Sequence, residues 1–351
     1  MTPLLYSLHS GNLYGTERMA LATALGLNDE FETTFVAPEG PFHAEARRLG
    51  FRTIIFKTPL RFAADIRQFF ANNPRAAAVG TRVLHTLAAA LWSRVYRRPC
   101  ANIQVVHGGT DERLSYGRKR WLNRLGTKQV AVSNYVKERM LFHGADPGTI
   151  SVIENFLTPE RVDSSPRREP FQKSGIRKVV IVSRLDPIKR IDVLLDALDL
   201  APALQNLQFE IFGTGEDEQL LRSRALARNP NVTFLGYHPD IPQRVSQSDL
   251  LLHLCPEEPF GLAILEAMAA YVPVLVPNSG GAGAIVDPGK TGFHFRANDA
   301  FDLAFQLQYL QYVPKETLTK TVEAATRSLR TRFSADCGTA QYRKLIHECL
   351  A

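Results

Sequence analysis

The chain has 351 residues, 45% hydrophobic and 22% charged, a balance that suits globular folding and excludes a disordered or collagen-like chain. That length exceeds one small core and predicts two domains of roughly 150 residues each. The excess of 42 Lys and Arg over 35 Asp and Glu leaves +7, which suits an anionic partner such as a phosphorylated substrate, an acidic membrane surface or nucleic acid; a mildly basic protein without such a partner is the plain alternative.

In chain order, short apolar runs at residues 4–9, 33–38, 53–56, 77–80, 101–107 and 128–133 predict strands. Between them, 19–27, 42–50, 87–98 and 134–144 carry the spacing of amphipathic helices. The second half repeats the style, with strands at 178–183, 208–213, 232–236, 250–255 and 272–277. Helices are expected after Lys189, Glu216, Gly261 and Asp299, and beyond Asp299 the pattern is wholly helical. This alternation predicts α/β layering with parallel sheets. Residues 161–177, rich in Pro, Ser and charge, read as a connector between a domain at 1–160 and a domain at 178–333. A last helix at 334–351 is free to pack back on the first domain.

The cysteines, Cys100, Cys255, Cys337 and Cys349, are scattered, without CxxC or Cys/His spacing, so neither a disulfide framework nor a zinc site is indicated. The N-terminus lacks the pattern of a signal peptide. No run of about 18 apolar residues occurs, so no membrane span is expected. The expected location is the cytoplasm.

The segment EPFGLAILEAMAA at 258–270 keeps two carboxylates in an otherwise apolar context. The run 250–255 reads as a buried strand, 256–261 as a turn and 262–271 as a helix, which puts Phe260 and Gly261 near a helix N-terminus. Unpaired N–H groups there favour anions or hydroxyl oxygens, and Gly261 permits close approach of a ligand to the backbone. Glu258 on the loop and Glu266 in the helix flank those donors, an arrangement suited to a polyhydroxyl ligand. The bland alternative has Glu258 capping the helix and Glu266 on a solvated face. In VSRLDPIKRID, Arg184 and Lys189 stand where a strand ends and a helix begins, a place that suits phosphate; two incidental surface cations are the alternative.

The first stretch resembles the E-x-F-G-x-x-x-x-E motif of retaining glycosyltransferase family 4, whose GT-B fold has two Rossmann-like, doubly wound α/β domains facing across a cleft. The resemblance implies that Glu258 holds hydroxyls of a donor sugar, that the backbone at Phe260, Gly261 and Leu262 touches the donor, and that Glu266 binds the nucleotide ribose. The second stretch is similar to the family's G-R-L-x-x-x-K-G, whose cations stabilise the diphosphate leaving group. Arg184 and Lys189 match it, while Ser183 and Arg190 replace the flanking glycines. Gly213 and Gly215 resemble a G-x-G turn lining the nucleotide pocket, and Tyr237 falls where relatives face the base. Residues 279–293 resemble G-G-x-x-E-x-V, with Ala284 in place of the glutamate. In the first half the likeness is thinner. Gly15 and Glu17 fit a glycine-rich G-G-x-E loop, with Tyr14 in place of the first glycine, and His107 is similar to a histidine that contacts donor or acceptor. Ser133 and Asn155 are expected to shape turns.

The implied activity is transfer of a sugar, with retention, from a nucleotide-sugar donor to a hydroxyl acceptor: a glycan, a lipid-linked sugar or a small metabolite. No strict D-x-D occurs, so no metal is expected, and no cofactor beyond the nucleotide-sugar co-substrate. A nucleotide-sugar 2-epimerase-like isomerase and a non-catalytic nucleotide-sugar-binding protein are the rivals, distinguished by turnover without an acceptor and by tight binding without turnover. Residues 113–128 place Leu114, Tyr116, Trp121, Leu122 and Leu125 among Arg and Lys. This suggests a cationic amphipathic helix able to sit on an anionic membrane at its inner surface, with a solvated face over a core as the alternative. No recognisable nucleic-acid-reading motif accompanies the charge.

Overall fold

The computed structural model describes residues 1–109, 112–238 and 240–351. The chain divides into two compact units, residues 1–156 with 335–351, and residues 157–334.

The first unit alternates strands β1 (Thr2–Ser7), β2 (Phe31–Ala37), β3 (Arg52–Ile55), β4 (Ala76–Gly80), β5 (Cys100–Val106), β6 (Lys128–Ala131) and β7 (Ile150–Val152) with helices α1 (Gly15–Leu25), α2 (Phe42–Arg48), α3 (Pro59–Asn72), α4 (Val83–Val95), α5 (Glu112–Ser115) and α6 (Asn134–Phe142). All pairings in its sheet are parallel, in the order β3-β2-β1-β4-β5-β6-β7. The strand order reverses between β1 and β4, and in open α/β sheets ligands bind outside the carboxyl ends at such a reversal. β4 is buried throughout, the continuous apolar run of a strand covered on both faces. The chain enters α3 through a Thr58 cap with Pro59 in the first turn, and α6 through a Ser133 cap on the Val136 N–H.

The second unit has α7 (Pro159–Asp163), then strands β8 (Lys178–Val182), β9 (Gln208–Phe212), β10 (Val232–Gly236), β11 (Leu250–Leu252), β12 (Val274–Pro277) and β13 (Phe293–Phe295). Its helices are α8 (Ile191–Leu200), α9 (Glu218–Arg228), α10 (Ile241–Ser246), α11 (Leu262–Ala269), α12 (Gly280–Ile285), α13 (Ala300–Leu310) and α14 (Lys315–Thr331). This sheet is also parallel, ordered β10-β9-β8-β11-β12-β13, with its reversal between β8 and β11. Residues 161–177 are counted within this unit, where Phe171 and Ile176 join the buried core.

Six elements went unpredicted: α3, β7, α7, α10, α12 and β13. β7 and β13 are three residues long, too short to show a period. Helix α3 does carry a core stripe, Phe62, Ile66 and Phe70, at spacing i, i+4, i+8. Residues 113–128 do not form the expected amphipathic helix. The single turn of α5 gives way to a 3-10 helix, Gly117–Leu122, with Tyr116, Lys119 and Leu122 buried and Trp121 exposed. Among the described residues no helix is long and apolar enough to cross a membrane.

The last helix, α15 (Ala335–Leu350), belongs to the first unit. Its Arg343 bonds Asp29 and Glu30, and His347 Nε2 donates to Glu30 Oε2 at 2.7 Å. It lies so close that a Cβ on Gly338 would come within 2.1 Å of the Phe156 ring, and one on Gly26 within 2.3 Å of Thr339 Cγ2. Gly338→Val should therefore cost about 1–3 kcal/mol, the usual effect of overpacking, seen as a lower melting temperature of the first unit, whereas Glu348→Ala on the exposed side should leave it unchanged.

Candidate active site

In the second unit, Lys189 ends a 3-10 turn that follows β8, and Glu258 stands in the loop that follows β11. Because those strands are neighbours at the reversal, the two side chains meet: Lys189 Nζ donates to Glu258 Oε2 at 2.6 Å, with the side chains only 17% and 16% exposed. His253 Nε2 lies 3.5 Å from the same oxygen. Burial alone would push the Glu258 carboxyl up, but the Lys189 charge, then His253, outweigh it and hold it below the ordinary value of 4.5. Burial likewise works against the Lys189 ammonium, and Glu258 overcomes it, so its pKa is raised above 10.5. Burial drives His253 down to about 4, so the ring is neutral at pH 7.

The loop bearing Glu258 is gripped by glycines that nothing larger could replace. Gly261, at φ +104°, leads into α11, and a Cβ there would meet Ile264 Cδ1 at 2.8 Å. Gly281 N–H donates to the Glu258 carbonyl at 2.7 Å and Ser279 Oγ to the Pro256 carbonyl at 2.8 Å. A Cβ on Gly280 or Gly281 would strike the 256–260 backbone at 2.6 or 2.1 Å. Phe260 is buried edge-on against Phe333, and Leu262 is the first residue of α11. Gly213 and Gly215 close the β9 turn onto the loop after β8, their absent Cβ positions 1.8 Å from the Ser183 carbonyl oxygen and 2.4 Å from the Leu185 backbone.

The other candidates of this unit have their own partners. Arg184 is 65% exposed and pairs with Asp186 at 2.8 Å. Glu266, partly buried, accepts a hydrogen bond from Arg161 of α7. Neither glutamate adopts the bland arrangement of a helix cap or a solvated face. Tyr237 stands 83% exposed just beyond β10. Ala284 lies in α12 and its carbonyl accepts from Arg332.

In the first unit, Tyr14 is an exposed N-cap of α1 and Gly15 its first residue. Glu17 is fully buried, and no side chain among the described residues hydrogen-bonds either carboxylate oxygen. His9 Nδ1 is 4.0 Å from Oε1 and 3.1 Å from Thr81 Oγ1. Burial, only partly offset by the N–H groups of Glu17 and Tyr14, raises the Glu17 pKa. His107 follows β5 with Nε2 buried and unpartnered, and burial lowers its pKa to about 3. His9, Glu17 and His107 therefore gather at the carboxyl end of the first sheet, near its β1/β4 reversal.

Both sheets thus carry their unusual charges where a doubly wound fold binds ligands, and the whole chain compares accordingly. Residues 14–161 match the family Glycosyltransferase Family 4 and residues 165–327 match Glycosyl transferases group 1. The chain belongs to glycosyltransferase family 4. Its fold is GT-B: a crystal structure of Anabaena Alr3699/HepE in complex with UDP and glucose superposes with a TM-score of 0.81 at 20% identity, over 99% of this chain and 100% of that one. An N-acetyl-alpha-D-glucosaminyl L-malate synthase of Bacillus anthracis is 26% identical over 57% of this chain and 54% of that protein. A D-inositol 3-phosphate glycosyltransferase of Rhodococcus erythropolis is 28% identical over 70% of this chain and 57% of that protein. The matched region spans just over half the length of these two relatives.

Sequence reasoning about this family-4 chain missed His9, His253, Arg161 and the supporting role of Gly280 and Gly281. The glycine pair was visible as a motif, and only the contact with the 256–260 loop shows what it supports. His9 and His253 each fall inside a predicted strand, whereas the strands end at Ser7 and Leu252 and leave both rings in the loops at the sheet's carboxyl end. Arg161 lay in the expected connector and gave no signal.

The buried pair makes a specific electrostatic prediction. Lys189→Met or Glu258→Met alone strands a buried charge and should cost about 3–5 kcal/mol, while the double substitution should recover most of that loss. The Glu258 contribution is present above 4.5 and is lost as pH falls through its lowered pKa; that of Lys189 is present below 10.5 and is lost as pH rises through its raised pKa. Melting curves of the double variant should lack both flanks. Separately, a neutral buried His253 resists protonation, so its stabilisation, complete above 6.5, should fade between pH 6.5 and about 4. His253→Asn should flatten the acid limb over that interval.

Proposed function

We propose that the protein is a retaining, metal-independent glycosyltransferase that moves a sugar from a nucleotide-sugar donor to a hydroxyl-bearing acceptor. The observation that carries this reading is the Lys189–Glu258 pair, buried at the β8/β11 reversal inside the family's two-glutamate motif. The structural neighbour with bound UDP and glucose favours a uridine diphosphate donor.

An ammonium has three N–H donors, so Lys189 can keep one on Glu258 and turn the others to a diphosphate. Arg184, with its exposed guanidinium, adds a second charge to the leaving group. Glu258, held ionised, accepts hydrogen bonds from donor-sugar hydroxyls and orients the ring. Its lowered pKa makes it a poor proton acceptor in the reaction itself. The bond between the anomeric carbon and the leaving phosphate oxygen breaks as the bond to the acceptor oxygen forms on the same face. The acceptor proton passes to the departing phosphate oxygen. Glu266, steadied by Arg161, takes the ribose hydroxyls.

Glu258→Ala should lower turnover by about 10²–10³, with UDP affinity kept, while Glu266→Ala should mainly raise the KM for the donor. Undiminished transfer by the Glu258 variant, or an inverted anomer in the product NMR spectrum, removes this reading. Addition of a chelator should leave the rate unchanged. A thermal-shift screen across nucleotide sugars should show stabilisation by the true donor.

A further inference from the structure

The loops at the β1/β4 reversal of the first sheet carry His9, Thr81 and Arg82, and the 3-10 helix beyond β5 carries Lys119. Lys119 is 6% exposed, and among the described residues its Nζ reaches only the Leu114 carbonyl, at 3.5 Å. Among the described residues no carboxylate pairs with Lys119 or with Arg82. A buried ammonium without a counter-charge is unfavourable unless an anion completes it.

Among the described residues the surroundings do not supply that anion. Of these residues Glu17 is the one acid of the cluster, and it lies 4.0 Å from His9 with no side-chain hydrogen bond to either oxygen. His9, His85 and His107 are held towards the neutral form, chiefly by burial, and Arg82 and Lys119 are near enough to His9 to add to that effect. Burial also lowers the Lys119 pKa to about 8, with Arg118 adding to it. Among the described residues the cations Arg82 and Lys119 thus outnumber the one carboxylate of the cluster, Glu17.

We propose that the first unit binds an acceptor bearing an anionic group, phosphate or carboxylate, which Lys119 and Arg82 hold while Glu17 and His9 receive its hydroxyls. The inference takes its ligand's role from the transfer reaction proposed above, but the anion site itself is a property of the first unit.

The test uses the full chain saturated with UDP, so that any donor phosphate site is filled, and titrates inorganic phosphate by calorimetry. Wild type should bind phosphate; Lys119→Met should weaken binding by about tenfold or more, and Lys119→Arg should restore most of it. Lys119→Met removes only the buried charge, so its melting temperature and its UDP affinity should match or exceed those of wild type. Equal phosphate binding by Lys119→Met and wild type overturns the proposal, as does loss of phosphate binding when UDP is added. If UDP fails to bind while Lys119-dependent phosphate binding persists, the donor reading falls and the anion site stands. Flotation with phosphatidylcholine vesicles, with and without phosphatidic acid, separates the sources. Lys119-dependent retention assigns the anion to a lipid headgroup, and phosphate binding without retention assigns it to a soluble acceptor.

Discussion

Two opposite charges buried together beside β8 and β11 constrain the second unit more than any other contact. Neither could be withdrawn from water alone, and each is stabilised in its charged form by the other against its own desolvation. The pair also ties together two loops through residues 69 apart in the chain. The close approaches at Gly213, Gly215, Gly280 and Gly281 then follow from geometry: loops drawn together at a sheet reversal leave no room for side chains. The result is a fixed donor and a fixed acceptor at the end of the sheet before any ligand arrives, the preorganisation that makes electrostatic stabilisation effective.

The first unit repeats the topology without repeating this solution. Its reversal also gathers ionisable groups, yet among the described residues no side chain bonds the Glu17 oxygens and no carboxylate pairs with Lys119. One unit pairs its buried acid and buried base at the reversal, whereas the other holds a buried acid and a buried base that do not satisfy each other. Such unspent polarity is expensive in a core and is the kind of feature that a ligand removes. Recognition of a shared donor calls for a common arrangement, and recognition of a particular acceptor does not.

The layering was legible because strands covered on both faces are continuous apolar runs and the helices between them are amphipathic. β7 and β13 escaped because three residues carry no period. The region 113–128 was misread because Leu114, Trp121, Leu122 and Leu125 do fit a helical stripe. The chain instead breaks into a turn and a 3-10 helix that sends Lys119 inwards with Tyr116 and Leu122. The individual members of the site were readable from their motifs, but their pairing was not. Lys189 looked like a phosphate ligand and Glu258 like a sugar ligand, and only strand order shows that each is also the other's counter-ion. Glu266 was placed on α11 by its spacing, while its partner Arg161 depended on how α7 packs, for which local sequence has no signal.

Arg190 shows how a departure from a motif can be absorbed. The family has glycine there, and the backbone explains it: Arg190 sits at φ +54°, ψ +38°, the left-handed region, where the chain turns from the 3-10 segment into α8. A side chain at such a position costs about 1 kcal/mol relative to glycine. The guanidinium offsets this by pairing with Asp192, in the first turn of α8, at 3.0 Å, and by bonding Asn298. Asp192 also places a negative charge at the positive end of the helix. The turn that carries Lys189 towards Glu258 is therefore kept by side-chain contacts where relatives rely on the freedom of glycine, and the motif's geometry survives the loss of one of its letters.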